Sequence, residues 1–330
     1  MVFNHYSFIV TPNSHFAKWL FTIMFTICKV AVPLFVMVSG ALLLGKKTTY
    51  KEVFTKRIVR VFVPLVVISV LYVYIYSDGL NLKNFGSFVL SIFTEYDQTY
   101  IPYWIWYLYM LIALYIMTPF LQKMLKNFKD NDYKTFFIIF IVIIGVFNTF
   151  GPLTHVFLGE AKTINSHFMV SMFSIAIGYY VWGYYVSKLT INKKMVKYAW
   201  ITLIVSLLVG MLFVNYGVYH KGLVYNDVID WSAIFVALIS ASLFLLFKYY
   251  FKDCKNSKIS NIVSVISNST FGVYLTHVFL YDYLIDVSFI KSILAFNTIV
   301  GCLLMVVIAF VILTLLFYIL RKVPFIRKFL

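Results

Sequence analysis

The chain has 330 residues, of which 62% are hydrophobic, 20% aromatic and only 12% charged. An ordinary soluble domain is about 45–50% apolar and about 25% charged, and the polar residues left here are too few to cover so much apolar surface. A soluble enzyme, a secreted disulfide scaffold, a disordered tail and a coiled coil are therefore excluded. The apolar runs are roughly 18–25 residues long and do not alternate, which selects helices over a barrel for crossing a bilayer. The expected fold class is all-α: a polytopic transmembrane helix bundle forming a single domain over residues 1–330, with no soluble domain.

In chain order, the first ten residues, MVFNHYSFIV, are apolar but too short to cross, and read as the last third of a helix whose beginning is absent. No cleavable signal peptide is expected, because no basic start leads through an apolar stretch to a small-residue cleavage site. Full spans are expected at about 18–45, 61–77, 104–122, 135–151, 167–187, 197–216, 230–250, 262–281 and 293–320, which with the truncated stub makes about ten helices. The longest loop, 78–103, contains NFGSFVLSIF, a weakly amphipathic stretch suited to the outer interface. No loop can hold a soluble domain, so any chemistry belongs inside the bundle.

The net charge of +16 would suggest nucleic acid on a soluble protein. Its placement argues otherwise. Of the 28 Lys and Arg, only Lys18, Lys83, Lys162, Lys221 and Lys291 fall in one set of alternate loops, and Lys29 lies inside a span; all the rest lie in the other set or at the C-terminal end. The positive-inside rule puts that basic set, and the C-terminus, in the cytoplasm of a multi-pass cell-membrane protein. Asp78, Glu95, Asp97, Glu160, Asp227, Asp230, Asp282 and Asp286 collect on the opposite side. The charge is thus a topology signal with affinity for anionic lipid. Cys28, Cys254 and Cys302 have no paired spacing and suggest neither a disulfide framework nor a metal site.

Charge inside a span costs at least about 2.5–3.5 kcal/mol and marks a candidate functional group. Lys29 sits about eleven residues into its helix, roughly 16 Å deep at 1.5 Å per residue. Four residues on, Pro33 lacks the N–H that would bond the carbonyl of Lys29, so a kink is expected there. Arg60 and Pro64 repeat the relation in the next span. A freed carbonyl beside a cation at depth needs a polar partner, which suggests a hydrated cavity between these two spans, open to the cytoplasm. Two ordinary proline kinks near basic ends are the plainer reading. Lys56, Arg57 and Arg60 cluster within one turn at the membrane mouth, which suits a polyphosphate or, more simply, cytoplasmic anchoring. His5 and His277 lie in apolar helices, where histidine serves either as a general base or as a hydrogen-bonded interior residue. No i,i+4 His pair with a carboxylate marks a zinc site.

VPLFVMVSGALLL (32–44), YKEVFTKRIVRVFVPLVV (50–67), WYLYMLIALYIMTPFL (106–121) and STFGVYLTH (269–277), in this order and spacing, resemble the acyltransferase-3 family of integral membrane acyltransferases. The resemblance runs from His5 to the last helix and is nearest to single-domain members that O-acetylate surface glycans. It implies about ten helices and transfer of an acetyl group from cytoplasmic acetyl-CoA, a co-substrate rather than a bound cofactor, to a hydroxyl of a cell-surface or lipid-linked glycan. His5 matches the family's histidine on the first helix; the arginine that the family places ten residues earlier would fall ahead of Met1. Lys56, Arg57, Arg60 and Pro64 match the basic element before a proline on the third helix, and Pro33, Leu34, Phe35, Ser39 and Gly40 match the element on the second.

The roles implied are His5 as catalytic base, and Lys56, Arg57 and Arg60 as holders of the acyl-CoA phosphates. Lys29, where similar sequences often carry a basic residue, and Ser39 would line the acyl path. His277 and Asp282 would orient the acceptor. Direct transfer and a transient acyl-histidine are both compatible with these roles. Two other classes fit the same chain: a transporter of a small solute such as an amino acid, or of a glycan intermediate, and a non-catalytic structural partner.

Overall fold

The computed structural model describes residues 2–76, 85–94, 100–162, 172–252 and 257–329. Expectations placed on Asp78, Lys83, Glu95, Asp97, His167, Cys254 and Lys255 lie outside these residues.

Short polar residues set the helix starts. The chain opens with α1 (Val2–Tyr6). Ser14 then caps α2 (His15–Cys28), its hydroxyl accepting from the Ala17 N–H at 3.1 Å. The expected break follows at once: α2 stops at Cys28, Lys29 and Val30 form a turn, and α3 (Ala31–Leu43) resumes with Pro33 in its first turn, where the missing N–H costs least. Thr49 caps α4 (Tyr50–Tyr76). α4 continues as helix through Pro64, and a π-helical stretch, Val53–Ile58, precedes it in the same helix.

After α5 (Phe85–Phe93) come α6 (Trp106–Leu125) and α7 (Asp130–Leu158), the latter ended by Gly159 at φ 80°, the left-handed conformation that only glycine takes freely. They are followed by α8 (Met172–Lys188), α9 (Lys193–His220), α10 (Tyr225–Val228), α11 (Ile234–Phe251) and α12 (Ser257–Asp286). The expected last span, 293–320, divides into α13 (Ser288–Phe296) and α14 (Thr298–Leu320). The reason is Asn297, extended at φ −155°, whose side-chain oxygen accepts from the N–H groups of Ile299 and Val300 and starts a new helix. A short α15 (Pro324–Arg327) follows.

Among the described residues no strand occurs. Among the described residues eight helices are long and apolar enough to cross a membrane, α2 and α3 together counting as one. The expected span at 167–187 is described only from Met172 as α8. The result is a polytopic helical bundle. Its ends are called the basic face, where the lysine-rich loops collect, and the acidic face.

The tightest junction joins α3 to α8. A Cβ on Gly40 would lie 1.8 Å from the backbone oxygen of Tyr180, and one on Gly183 would lie 1.9 Å from that of Met37. Each helix thus presents its glycine to the other's backbone, an approach that membrane helices use where no hydrophobic force drives them together. Nearby, the Lys248 ammonium of α11 donates to the carbonyls of Val186, Ser187 and Leu189 at 2.7–2.8 Å, satisfying the last carbonyls of α8.

Three apolar clusters occur among the described residues, the least of them joining Val186, Val196, Ala199, Leu245 and Leu246; the other two are cores. The larger gathers α3, α4, α6, α7, α8 and α12. The smaller wraps α1 with Phe21 and Phe25 of α2, Phe213 of α9, and Cys302 and Met305 of α14. The amphipathic stretch forms α5, which buries Phe88 and Ile92 and stacks Phe93 against Phe62, near the middle of α4.

Candidate active site

The stub α1 is five residues long, too short to hold a helix alone. Tertiary contacts hold it. Tyr6 is fully buried, its phenol donates to the carbonyl of His277 on α12 at 2.8 Å, and its own carbonyl accepts from the Cys302 thiol of α14 at 3.5 Å. This stapling sets His5 beside His277, with ring centroids 5.0 Å apart. Residues 272 positions apart in the chain, both picked out from the sequence, therefore meet. Tyr103 closes the other side of His5 at 5.6 Å.

His277 is fully buried. Its Nδ1 lies 2.7 Å from the carbonyl of Tyr274. A carbonyl only accepts, so Nδ1 is assigned the proton and Nε2 keeps its lone pair. That Nε2, and Nδ1 of His5, are buried and have no hydrogen-bond partner among the described residues. A buried polar atom left so is costly and points to a missing partner. The turn that carries His277 is itself fixed: the Tyr274 phenol donates to the Trp104 carbonyl at 2.6 Å, and the Trp104 indole N–H donates to the Leu275 carbonyl at 3.2 Å.

Asp282 lies five residues further along α12, about 7.5 Å toward the acidic face at 1.5 Å per residue. It is half-buried and accepts from the Tyr76 phenol. Tyr72, Trp104 and Phe279 surround that pair. The result is an aromatic cluster around one carboxylate, on the acidic-face side of His277.

On the other side lies a cavity of about 580 Å³ between α3, α4, α6 and α12. Lys56, Arg57 and Arg60 line its basic end, and Ser39, Tyr107, Tyr115 and Tyr274 line it deeper in. The wide i→i+5 turn of Val53–Ile58 lets all three basic residues face this one space. Arg57 pairs with Glu52 at 3.3 Å, while its Nε is buried and unpartnered among the described residues. Ser39 donates to the Phe35 carbonyl at 2.9 Å and shares a hydrogen bond with the Tyr107 phenol. Tyr274 sits one turn from His277, with its ring 6.3 Å away. The cavity thus runs from a cationic mouth to within one helical turn of the histidine pair.

One role expected from the sequence is corrected. Lys29 does not line this cavity: its ammonium donates to the Asn226 side chain of α10 at 2.7 Å and lies 4.4 Å above the Phe25 ring, 6% exposed. The loop carrying α10 folds inward from the acidic face and meets Lys29 at depth, so the cation is satisfied on the side away from the mouth. The space does lie between α3 and α4, as expected, but Pro33 and Pro64 are absent from its lining and α6 and α12 complete its walls.

Sequence reasoning missed Arg321, which lines the cavity and donates to the Asn268 carbonyl at 2.7 Å. It also missed Tyr107, Tyr115 and Tyr274. Arg321 reads as one more basic residue at a helix end, and no spacing ties position 321 to position 57. Only the α12–α14 packing does.

Against known proteins, a family model described as an acyltransferase domain matches residues 1–319. No curated protein and no solved structure matches the chain.

Proposed function

The chain belongs to acyltransferase family 3, the integral membrane acyltransferases, and from that premise we propose that it moves an acetyl group from cytoplasmic acetyl-CoA to a hydroxyl of a cell-surface or lipid-linked glycan. The observation that carries this reading is the run of the cavity from Lys56, Arg57 and Arg60 to within one turn of the His5–His277 pair, with a tyrosine-lined carboxylate beyond.

Charge placement supports taking the basic face as cytoplasmic. CoA phosphates then meet Arg57 and Arg60, whose planar forks match phosphate oxygens. The pantetheine arm lies along Ser39, Tyr107 and Tyr115, whose hydroxyls suit its amides. The thioester reaches the level of Tyr274. From the far side the sugar enters among Tyr72, Tyr76 and Tyr103, with Asp282 as acceptor for a sugar hydroxyl.

His5 takes the proton of the attacking hydroxyl as that oxygen bonds to the thioester carbon. The C–S bond breaks, and the proton goes to the departing CoA thiolate. His277, free to accept only at Nε2, steadies the charge that His5 acquires. Such positioned base catalysis is worth about 10²–10⁴-fold.

The test is transfer of labelled acetyl from acetyl-CoA in proteoliposomes, with mass spectrometry of surface glycans from cells that carry or lack the gene. His5→Ala is expected to lose transfer, and Arg60→Ala to lower it at limiting acetyl-CoA through a raised donor KM. Full transfer in both sinks the roles. Solute uptake without acetyl incorporation replaces the enzyme with a transporter.

A further inference from the structure

Asn268 and Arg321 line this cavity, and the same two residues line a second, smaller cavity of about 250 Å³ that adjoins it on the basic face. There the walls come from the end of α14 and from α15: Tyr318, Lys322 and Arg327 join Arg321. No acid lines this second space among the described residues. In the larger cavity the one carboxylate, Glu52, is already tied to Arg57. The two cationic spaces therefore adjoin, as two lobes, on either side of the hydrogen bond from Arg321 to the Asn268 carbonyl.

The charges in these lobes crowd one another. Burial, and then the guanidiniums of Arg60 and Arg327, hold Arg321 below the usual arginine range. Like charges gathered around a concave space lower their mutual repulsion when an anion enters between them. Two lobes call for an anion with two separate centres of charge.

The reasoning rests on the donor class proposed above. A CoA thioester carries a pyrophosphate where the pantetheine arm meets the ribose, and a phosphate monoester on the ribose 3′-oxygen. With the thioester at Tyr274 and the pyrophosphate at Arg57 and Arg60, the nucleoside must leave past Arg60 toward Arg321. The 3′-phosphate carries about −1.5 to −2 charge near neutral pH. We propose that the second lobe, Arg321 with Lys322 and Arg327, is the subsite for the donor's 3′-phosphate, so that the C-terminal segment decides between CoA and dephospho-CoA thioesters.

The experiment compares KM for acetyl-CoA and for 3′-dephospho-acetyl-CoA with the full chain in neutral phosphatidylcholine vesicles. For the unaltered protein the dephospho donor should show a KM about tenfold higher, the discrimination expected from one charge-assisted contact pair. In the double variant Lys322→Ala, Arg327→Ala the ratio should fall to about one. Arg327→Lys, which keeps the charge and loses the fork, should retain part of it, and this guards against a misfolded alanine variant. Lys126→Ala, in a separate lysine-lined cavity of the basic face, should keep the full ratio.

A ratio near one in the unaltered protein overturns the subsite, as does a tenfold ratio that survives the double variant. A ratio that collapses equally in Lys126→Ala replaces it with general electrostatic attraction. If the double variant changes activity only between neutral and anionic vesicles, the lobe holds a lipid headgroup instead. Use of neither donor defeats the acetyl-CoA reading itself, whereas use of both with equal KM leaves that reading standing and removes the subsite alone.

Discussion

The two ends of the proposed reaction path are built by opposite means. At the basic mouth, exposed and half-exposed cations stand on a π-helical turn, open to solvent and to one another. At the histidine pair His277 is buried and His5 half-buried, and the segments that carry them are held by hydrogen bonds from Tyr6, Tyr274 and Trp104. A mouth of this kind binds by summed charge, so it tolerates loss of one member. A locked pair works by position, where small displacements cost rate steeply. Phosphate recognition and proton transfer demand these different materials.

The comparison predicts a ranking of effects. The largest belongs to the locked end. His5→Ala and His277→Ala should each lower turnover by about 10²–10⁴-fold, measured as acetyl transfer at saturating donor; a loss under threefold would dissolve the distinction. Next comes the wall between α3 and α8. Gly183→Val drives a side chain into the Met37 backbone and should destabilise by about 3 kcal/mol or more, read as the thermal midpoint in detergent. An unshifted midpoint would mean that the junction yields.

The mouth should respond more mildly. Arg57→Ala combined with Arg60→Ala should raise the donor KM about 10–100-fold while turnover at saturation changes little, each single variant giving less than half of that in free energy. A fall in turnover with unchanged KM would move the mouth's role into the chemistry. The smallest effect is expected at Lys29. Lys29→Gln should cost about 1 kcal/mol of stability through the Asn226 bond and should move the donor KM less than twofold. A tenfold rise would return its ammonium to the donor path.

How much of this is legible in the sequence follows from the range of each interaction. The spans are legible because hydropathy is local. The break at Lys29 is legible because a proline acts four residues back along its own helix. The split of the last span at Asn297 was equally open to a capping argument, yet apolar residues on both sides hide it in a hydropathy reading. The partners are not legible. Nothing near Lys29 names Asn226, 197 residues on, and nothing near Arg57 names Arg321. His5 and His277 can each be picked out as polar groups in costly places, but their meeting depends on Tyr6 finding one particular carbonyl. The π turn is likewise invisible, since Val53–Ile58 has an ordinary helical composition.

The interlocked glycines have a mechanical consequence. With Gly40 and Gly183 seated on each other's backbone, and with Lys248 clamping the end of α8, α3 and α8 travel as a single slab. Ser39 rides on that slab. Whatever breathing admits a donor and discharges a spent one falls to the opposite shore, where α4 has its slackened coil and α14 turns into α15.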